Sequence, residues 1–233
     1  MPILGSLGSL SAFGFGFSES VWGPRFVAVA GGSATAAYST DGGQTWTEAA
    51  HVLAGAIFVA YGGGVFFSAY NSSTASYSTD GGNTWASTTM PDSSSNEQWQ
   101  SAAYGNGVFV AISSSSSTSA YSTDGGQTWT ASTLPYTSGL VSVCYGNGVF
   151  VAVTDSNVCA YSTDGGQTWT ASTLPSSQDW TSVAYGGGVF VAVTTGSLPG
   201  SNVCAYSTDG GQTWTASTLP GYAQWDGIAY GKN

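Results

Sequence analysis

Short apolar runs recur along the chain, and a glycine-rich triplet precedes each of them. The clearest copies are Val-Phe-Val-Ala-Ile at 108–112 and Val-Phe-Val-Ala-Val at 149–153 and 189–193. Because every position in these runs is apolar, instead of every second one, they predict strands that are buried on both faces. The Gly-Asn-Gly and Gly-Gly-Gly triplets predict tight hairpin turns, since glycine and asparagine adopt positive φ at low cost. No apolar pattern with helical periodicity is present.

Each apolar run is one strand of a repeated four-strand unit. Strand a ends in Ala-Tyr or Cys-Tyr, the apolar run is strand b, an Ala-Tyr-Ser-Thr stretch is strand c, and a stretch such as Thr-Trp-Thr-Ala-Ser is strand d. Strands c and d are joined by Tyr-Ser-Thr-Asp-Gly-Gly-Gln-Thr-Trp, whose five copies are 39 to 45 residues apart. That period is typical of solenoids and propellers. The copies, one of which has a single substitution, stand at 38–46, 77–85, 121–129, 161–169 and 206–214.

The pattern Ser-x-Asp-x-Gly-x-Thr-Trp within these copies resembles the Asp-box, or BNR, repeat of sialidase-like and sortilin-like propellers. The resemblance covers about residues 24–218, and it implies a propeller in which the box is a structural hairpin away from any active site. The physical interpretation agrees, because an aspartate at a turn accepts hydrogen bonds from backbone N–H groups and a tryptophan buries a large apolar surface. The residues predicted to be structural are Asp41, Trp46, Asp80, Trp85, Asp124, Trp129, Asp164, Trp169, Asp209 and Trp214.

The two ends of the chain determine how the ring would close. Residues 225–231 repeat the strand a pattern of 180–186, whereas residues 17–23 fit it poorly. We therefore predict an all-β, five-bladed β-propeller of four-stranded antiparallel blades, closed by the C-terminal strand. That strand would complete the blade that begins near Arg25 and leave no open edge. The predicted division is an N-terminal arm at 1–22 and a propeller at 23–233.

Charge excludes several classes of function. The chain has 12 acidic residues and 2 basic ones, Arg25 and Lys232. Nucleic-acid binding is excluded, because it needs several cations to neutralise phosphates. The resemblance to sialidases implies three arginines on the substrate carboxylate, so that activity does not carry over to this chain. With one histidine and three cysteines, we predict no metal site and no cofactor; no run of about 20 apolar residues predicts a membrane span.

The seven acids outside the boxes are scattered along the chain. Hydrolysis of a glycoside needs two carboxylates across one cleft, and equivalent positions on different blades should lie around the ring rather than in one pocket. We therefore predict no catalytic residues and rank a glycoside hydrolase third. Acids and amides beside tryptophans admit two interpretations, a glycan-binding lectin or packing between blades. The candidate glycan-binding residues are Trp99, Asp179, Trp180, Trp225 and Asp226.

The N-terminal arm is apolar and rich in glycine, and it resembles the starts of some phage virion proteins. Either it docks on a neighbouring subunit by strand addition, or it folds back on its own propeller. The scarcity of lysine and arginine fits an extracellular particle. We predict a non-enzymatic structural or adhesive subunit of a virion appendage or extracellular fibre, whose partners are copies of itself or other virion or fibre proteins. The residues predicted to assemble the arm are Ile3, Leu4, Leu7, Leu10, Phe13, Phe15 and Phe17.

Overall fold

The computed structural model describes residues 25–70, 73–91, 97–137, 139–196 and 200–231. All of the regular elements in these residues are β-strands, and they form five antiparallel sheets in which strands pair in chain order. The predicted all-β, five-bladed architecture is therefore confirmed. The arm lies outside the described residues, and so do its seven predicted assembly positions, Ile3, Leu4, Leu7, Leu10, Phe13, Phe15 and Phe17.

Four of the five blades have four strands and the first has three. Blade 1 contains β1 (Phe26–Val29), β2 (Thr35–Ser39) and β3 (Thr47–Ala50). Blade 2 contains β4 (Ala60–Gly62), β5 (Val65–Ala69), β6 (Thr74–Ser78) and β7 (Ala86–Thr89). Blade 3 contains β8 (Trp99–Gly105), β9 (Val108–Ser113), β10 (Thr118–Ser122) and β11 (Thr130–Thr133). Blade 4 contains β12 (Leu140–Gly146), β13 (Val149–Thr154), β14 (Val158–Ser162) and β15 (Thr170–Thr173). Blade 5 contains β16 (Trp180–Gly186), β17 (Val189–Thr194), β18 (Ser201–Ser207) and β19 (Thr215–Ala223).

The hairpin between strands a and b follows the turn chemistry of the sequence. In blade 3, Gly105 pairs with Val108, which leaves Asn106 and Gly107 as the two loop residues. Their φ angles are 50° and 83°, the left-handed pair that a tight two-residue hairpin requires. Blade 4 repeats the arrangement with Asn147 at φ 48°.

Strand b is apolar at every position because it serves two cores at once. In β9, Phe109 and Ala111 belong to the core that blade 3 shares with blade 2. The alternate residues Val110 and Ile112 belong to the core shared with blade 4. All four side chains are fully buried, so the strand lies between two neighbouring sheets, as its composition predicted.

Neighbouring blades also interlock through a tyrosine and a glycine of strand a. The ring of Tyr145, at the end of β12, packs directly on Gly105 at the end of β8, where a Cβ would lie 2.0 Å from the ring. Only glycine leaves room for this approach. The same contact joins Tyr104 to Gly62 and Tyr185 to Gly146.

Residues 224–231 contain no strand, yet they follow the course of a further strand a beside blade 5. Tyr230 packs on Gly186 in the manner of the tyrosines described above. The backbone N–H of Ile228 donates to the Ser182 hydroxyl at 3.4 Å, a bond that strand a of blades 4 and 5 also makes with the preceding blade. The stretch therefore occupies the place that a sixth strand a would take.

The pairing of this stretch with blade 1, which the sequence predicted, is not formed between the described residues. Among them β1 pairs only with β2. Phe26 in β1 is 50% exposed, whereas the equivalent Phe109 is fully buried. Residues 224–231 are held on blade 5 instead, for instance by the Thr181 hydroxyl donating to the Trp225 carbonyl at 2.8 Å.

Candidate functional site

The Asp box fastens the hairpin between strands c and d with a fixed set of hydrogen bonds. In blade 4, Asp164 Oδ1 accepts from the Ser162 hydroxyl at 2.8 Å and from the Thr168 N–H at 2.9 Å. Asp164 Oδ2 accepts from the Thr168 hydroxyl at 2.6 Å, and the Ser162 hydroxyl accepts from the Gly166 N–H at 2.8 Å. All five boxes repeat these bonds, so the aspartates act as turn acceptors. The other four are Asp41, Asp80, Asp124 and Asp209.

These hydrogen bonds hold the box carboxylates in their charged form. At Asp41, the side chain and backbone of Thr45 and the hydroxyl of Ser39 lower the pKa from 3.8 to about 2. In the other four boxes burial raises the pKa of the aspartate, but the threonine and serine hydrogen bonds outweigh it and the pKa lies below 3.8. A carboxyl group of lowered pKa is a poor proton donor near neutral pH. The boxes are thus suited to holding turns rather than to acid catalysis.

Each box of blades 2 to 5 also lies on strand b of the preceding blade, and we call this contact the box joint. A Cβ on Gly166 would lie 2.7 Å from the Val110 side chain of blade 3. The box tryptophan adds an aromatic contact, since the ring centroid of Trp129 lies 4.5 Å from that of Phe67.

A hydroxyl on strand d of the preceding blade completes the joint by donating to the backbone carbonyl of the box glutamine. The distances are 2.8, 2.7 and 2.9 Å for Thr88 to Gln127, Ser132 to Gln167 and Ser172 to Gln212.

The tryptophans proposed for glycan binding do not share one environment. Trp99 and Trp180 have no exposed surface, and both belong to cores between blades. Neither can therefore offer a ring face to a sugar, and packing between blades is their role in this structure. The sequence could not distinguish the two interpretations, because an aromatic residue at the start of a strand is compatible with either face.

Three of the glycan candidates lie together at one end of blade 5. The Thr195 N–H donates to the Asp179 carbonyl at 3.0 Å, and the Thr195 hydroxyl donates to Asp226 Oδ1 at 3.2 Å. Trp225 is half-buried and donates its indole N–H to the Ser201 carbonyl at 3.0 Å. We expected acids of different units to lie apart around the ring. In the structure the backbone carbonyl of Asp179 and the carboxylate of Asp226 both bond to Thr195, because the C-terminal stretch runs beside blade 5.

The other acids are spread over separate blades. Glu48 is exposed on β3, and Asp155 is exposed after β13. Glu97 is fully buried before β8 and accepts a short hydrogen bond from the Ser116 hydroxyl. Glu19 and Asp92 lie outside the described residues. The three of these acids that the structure describes therefore lie apart, and no two of their carboxylates face each other across a cleft.

Two residues have structural roles that their sequence context does not predict, and both lie at the joint of blades 1 and 2. Arg25 occupies the position of Val65 in strand b; its guanidinium lies 5.0 Å from the centre of the Tyr38 ring and donates to the Gly81 carbonyl at 3.4 Å. His51 is buried, with ring nitrogens 2.7 Å from the Leu53 carbonyl and 2.8 Å from the Ser76 hydroxyl. Burial lowers the pKa of His51.

The alignment of Arg-Phe-Val-Ala-Val at 25–29 with the later Val-Phe-Val-Ala-Val runs was the signal for Arg25. It places Arg25 directly before β1, where its side chain contacts the box of blade 2.

Over the ranges that the structure describes, no group of three or more His, Cys, Asp or Glu side chains is arranged to hold a metal ion. In the same ranges no helix is long and apolar enough to cross a membrane.

Solved structures resemble this chain in fold. YCF48 bound to D1 peptide matches at 18% identity and a TM-score of 0.56, over 73% of this chain and 56% of that one. The Niastella koreensis GH74 enzyme matches at 27% identity and a TM-score of 0.55, over 78% of this chain and 28% of that one. A catalytically inactive virginiamycin B lyase from Staphylococcus aureus, with quinupristin, matches at 14% identity and a TM-score of 0.69, over 84% and 67%. The chain thus spans about half of the first of these proteins and less of the second.

Among curated proteins no sequence matches the chain. Two family models do. The BNR/Asp-box repeat matches residues 37–48 and 205–216, which contain the first and last boxes. The DUF6242 beta propeller domain matches residues 53–179, more than half of the chain. The chain therefore belongs to the DUF6242 β-propeller family, and it is built from Asp-box repeats.

Proposed function

We propose that this chain is a non-enzymatic structural or adhesive subunit of an extracellular fibre or virion appendage. The proposal rests on what the repeated residues do in the structure. The box aspartates fasten hairpins, and the box glycines of blades 2 to 5 pack on the preceding blade. The strand a tyrosines pack on the strand a glycines of the preceding blade. In the residues that the structure describes, the repeated groups therefore fasten hairpins and join blades.

The composition supports the same proposal. Two basic residues in 233 leave few cleavage sites for trypsin-like proteases, and the strand d surfaces are rich in serine and threonine. Such a surface suits a particle exposed outside a cell. Its partners would be copies of itself or other fibre or virion proteins.

The N-terminal arm is the part proposed to gather subunits into a particle. The test is to purify the full chain and a variant that lacks residues 1–20, and to compare them by sedimentation and electron microscopy. We expect large assemblies from the full chain and only small species from the truncated one, with the same near-ultraviolet circular dichroism. Equal assembly by the two proteins would refute the role of the arm, and absence of assembly from the full chain would refute the structural proposal.

A lectin is the second candidate, and it is favoured by the cluster at the end of blade 5. The exposed carboxylate of Asp226 and the half-buried ring of its neighbour Trp225 offer an acceptor and an aromatic edge to sugar hydroxyls and C–H groups, and exposed Asp179 adds a second acid at this end of the blade. A glycan array tests this candidate, with Asp226→Asn as the site variant and Asp155→Asn as the matched control. Binding that only Asp226→Asn abolishes would support a lectin, and no binding by the parent protein would end it.

Propellers of this kind occur among enzymes as well as non-enzymes, so activity needs its own test. We expect no hydrolysis of aryl glycosides by the purified chain. Hydrolysis that disappears in Asp179→Asn or Asp226→Asn would contradict a non-enzymatic role, because a pair of carboxylates is the minimum for that reaction.

A further inference from the structure

The two ends of the row of blades each display one half of the box joint. We infer that copies of this chain join head to tail, with the box of blade 1 of one copy seated on strand b of blade 5 of another. This interaction goes beyond the proposed function, since it involves neither the N-terminal arm nor any particular particle.

The joint occurs four times inside the chain with the same register. The first box glycine of one blade meets the first residue of strand b in the preceding blade, and the second glycine meets the third residue. Gly125 and Gly126 meet Val65 and Phe67 in this way. The other three sets are Gly81 and Gly82 on Arg25 and Val27, Gly165 and Gly166 on Val108 and Val110, and Gly210 and Gly211 on Val149 and Val151.

The box of blade 1 has no such partner among the described residues. A Cβ on Gly42 or Gly43 would meet nothing within 4 Å. Trp46 is 48% exposed, whereas Trp85, its equivalent in blade 2, is 8% exposed. Blade 1 thus presents a complete and hydrogen-bonded box whose contact face is covered by no other blade of the described chain.

Among the described residues, the matching face of blade 5 is likewise covered by no other blade. Val191 is only half-buried, whereas its equivalent Val151 is fully buried beneath the next box. Tyr206, which lies beside Val191 in the sheet, is 39% exposed. On strand d, Ser217 is exposed, while its equivalent Ser172 is 8% exposed and bonded to a box carbonyl.

The strands at the two ends of the row of blades are also complementary, because one end lacks the strand that the other end displays. Blade 1 has strands b, c and d in β1, β2 and β3 but no strand a in its sheet. Residues 224–231 lie where a sixth strand a would lie, but the described chain provides no sheet for them. Joining two copies would bring the missing strand to the incomplete blade, and the same movement would place the box of blade 1 on Val189 and Val191.

A second copy fits this surface better than any other partner, because the required contact is already repeated within the chain. The register predicts Gly42 on Val189, Gly43 on Val191 and the Ser217 hydroxyl on the Gln44 carbonyl. The interface is heterologous, so it generates a ring if the rotation closes and a filament if it does not.

Cross-linking with a short bis-maleimide tests the joint. Gln44→Cys and Ser217→Cys are made as separate proteins and mixed, and the two changes are also combined in one chain. The matched control carries Gln167→Cys and Ser132→Cys, whose positions already meet inside the chain. The native cysteines are buried, and burial raises the pKa of Cys144 and brings that of Cys159 to about 11, so they should react little.

We expect the mixture to yield cross-linked dimers and the control to yield a link within one chain. If the control cross-links within its chain and the mixture gives no cross-linked dimer, the inference is overturned. A doubly substituted protein that links only within single chains would also overturn it, since that result would show closure of a five-bladed ring. The cross-linked dimer should also form from chains that lack residues 1–24. If these chains give no dimer, the N-terminal segment and not the box of blade 1 makes the contact, and the inference is overturned.

Substitution at either end gives an independent test. Val191→Asp and Trp46→Lys should each abolish the dimer while near-ultraviolet circular dichroism is retained. Val52→Asp is the matched control, because Val52 is 48% exposed but belongs neither to the box at 39–46 nor to a strand b. Unchanged dimer yield in both end variants would overturn the inference.

Discussion

At the residue scale, the stability of each blade depends on a serine, an aspartate and a threonine. In blade 4 these are Ser162, Asp164 and Thr168, and the carboxylate of Asp164 accepts from both other residues. The sequence was sufficient to predict this role, because the turn pattern specifies which groups need acceptors. The hydrogen bond from Arg25 to the Gly81 carbonyl could not be predicted from it, since Gly81 belongs to the next blade.

Removal of one box carboxylate should destabilise the protein. We expect Asp164→Ala to lower the free energy of unfolding by about 1–2 kcal/mol, because an exposed charged acceptor of several hydrogen bonds is lost. Urea denaturation measures the change. Glu48→Ala is the control, as Glu48 is exposed on β3 outside any box, and it should change the free energy by less than about 0.5 kcal/mol. Equal effects of the two substitutions would contradict the assigned role.

The lowered pKa values of the box aspartates also predict a response to acid. A carboxyl group whose pKa is lower in the folded state stabilises the fold above its unfolded pKa, about 3.9, and loses that contribution as pH falls through its folded pKa. For Asp41 the folded value is about 2, so the melting temperature should fall as pH is lowered from about 4 towards 2. Calorimetry over this range checks the slope, which should be shallower in Asp164→Asn. A melting temperature that is constant from pH 4 to pH 2 would count against the hydrogen-bonded carboxylates.

At the element scale, strand b and strand a join the blades by different means. Strand b contributes alternate side chains to two cores, as Phe109 and Val110 do in β9. Strand a presents a glycine on which the next tyrosine lies, as Gly146 does for Tyr185. The apolar run in the sequence predicted that strand b is buried on both faces. The glycine contact of strand a was not predicted, because the need for glycine arises only when a neighbouring blade is in place.

Two glycine substitutions distinguish an internal blade contact from the terminal one. A Cβ on Gly146 would lie 2.0 Å from the ring of Tyr185, and a Cβ on Gly186 would lie 1.9 Å from that of Tyr230. Gly146→Ala should cost about 1–3 kcal/mol of stability, because two packed blades must separate. Gly186→Ala should cost less, since only residues 224–231 need to move.

Urea denaturation gives both values, and hydrogen exchange at Ile228 reports the displaced C-terminal stretch. Gly32→Ala is the control, because a Cβ there meets nothing within 4 Å. Equal losses at Gly146 and Gly186 would mean that the stretch is as firmly integrated as an internal blade.

At the scale of the whole molecule, five blades follow one another through four joints of the same register. The number of blades was predictable, because each box is a local pattern that can be counted. Closure of the row was not predictable in the same way, because it depends on the angle that each joint sets between successive sheets. The burial of Trp99 and Trp180 is a related case, since the neighbouring blade that covers each of them is not visible in the local sequence.

The most direct test of the account is an electron cryomicroscopy map of the assembled protein at side-chain resolution. The account predicts that the box at 39–46 of one copy rests on Val189 and Val191 of another, with residues 224–231 of that second copy paired to β1 of the first. A map in which the box rests on Val189 and Val191 of its own chain, as a closed ring of five blades, would contradict it.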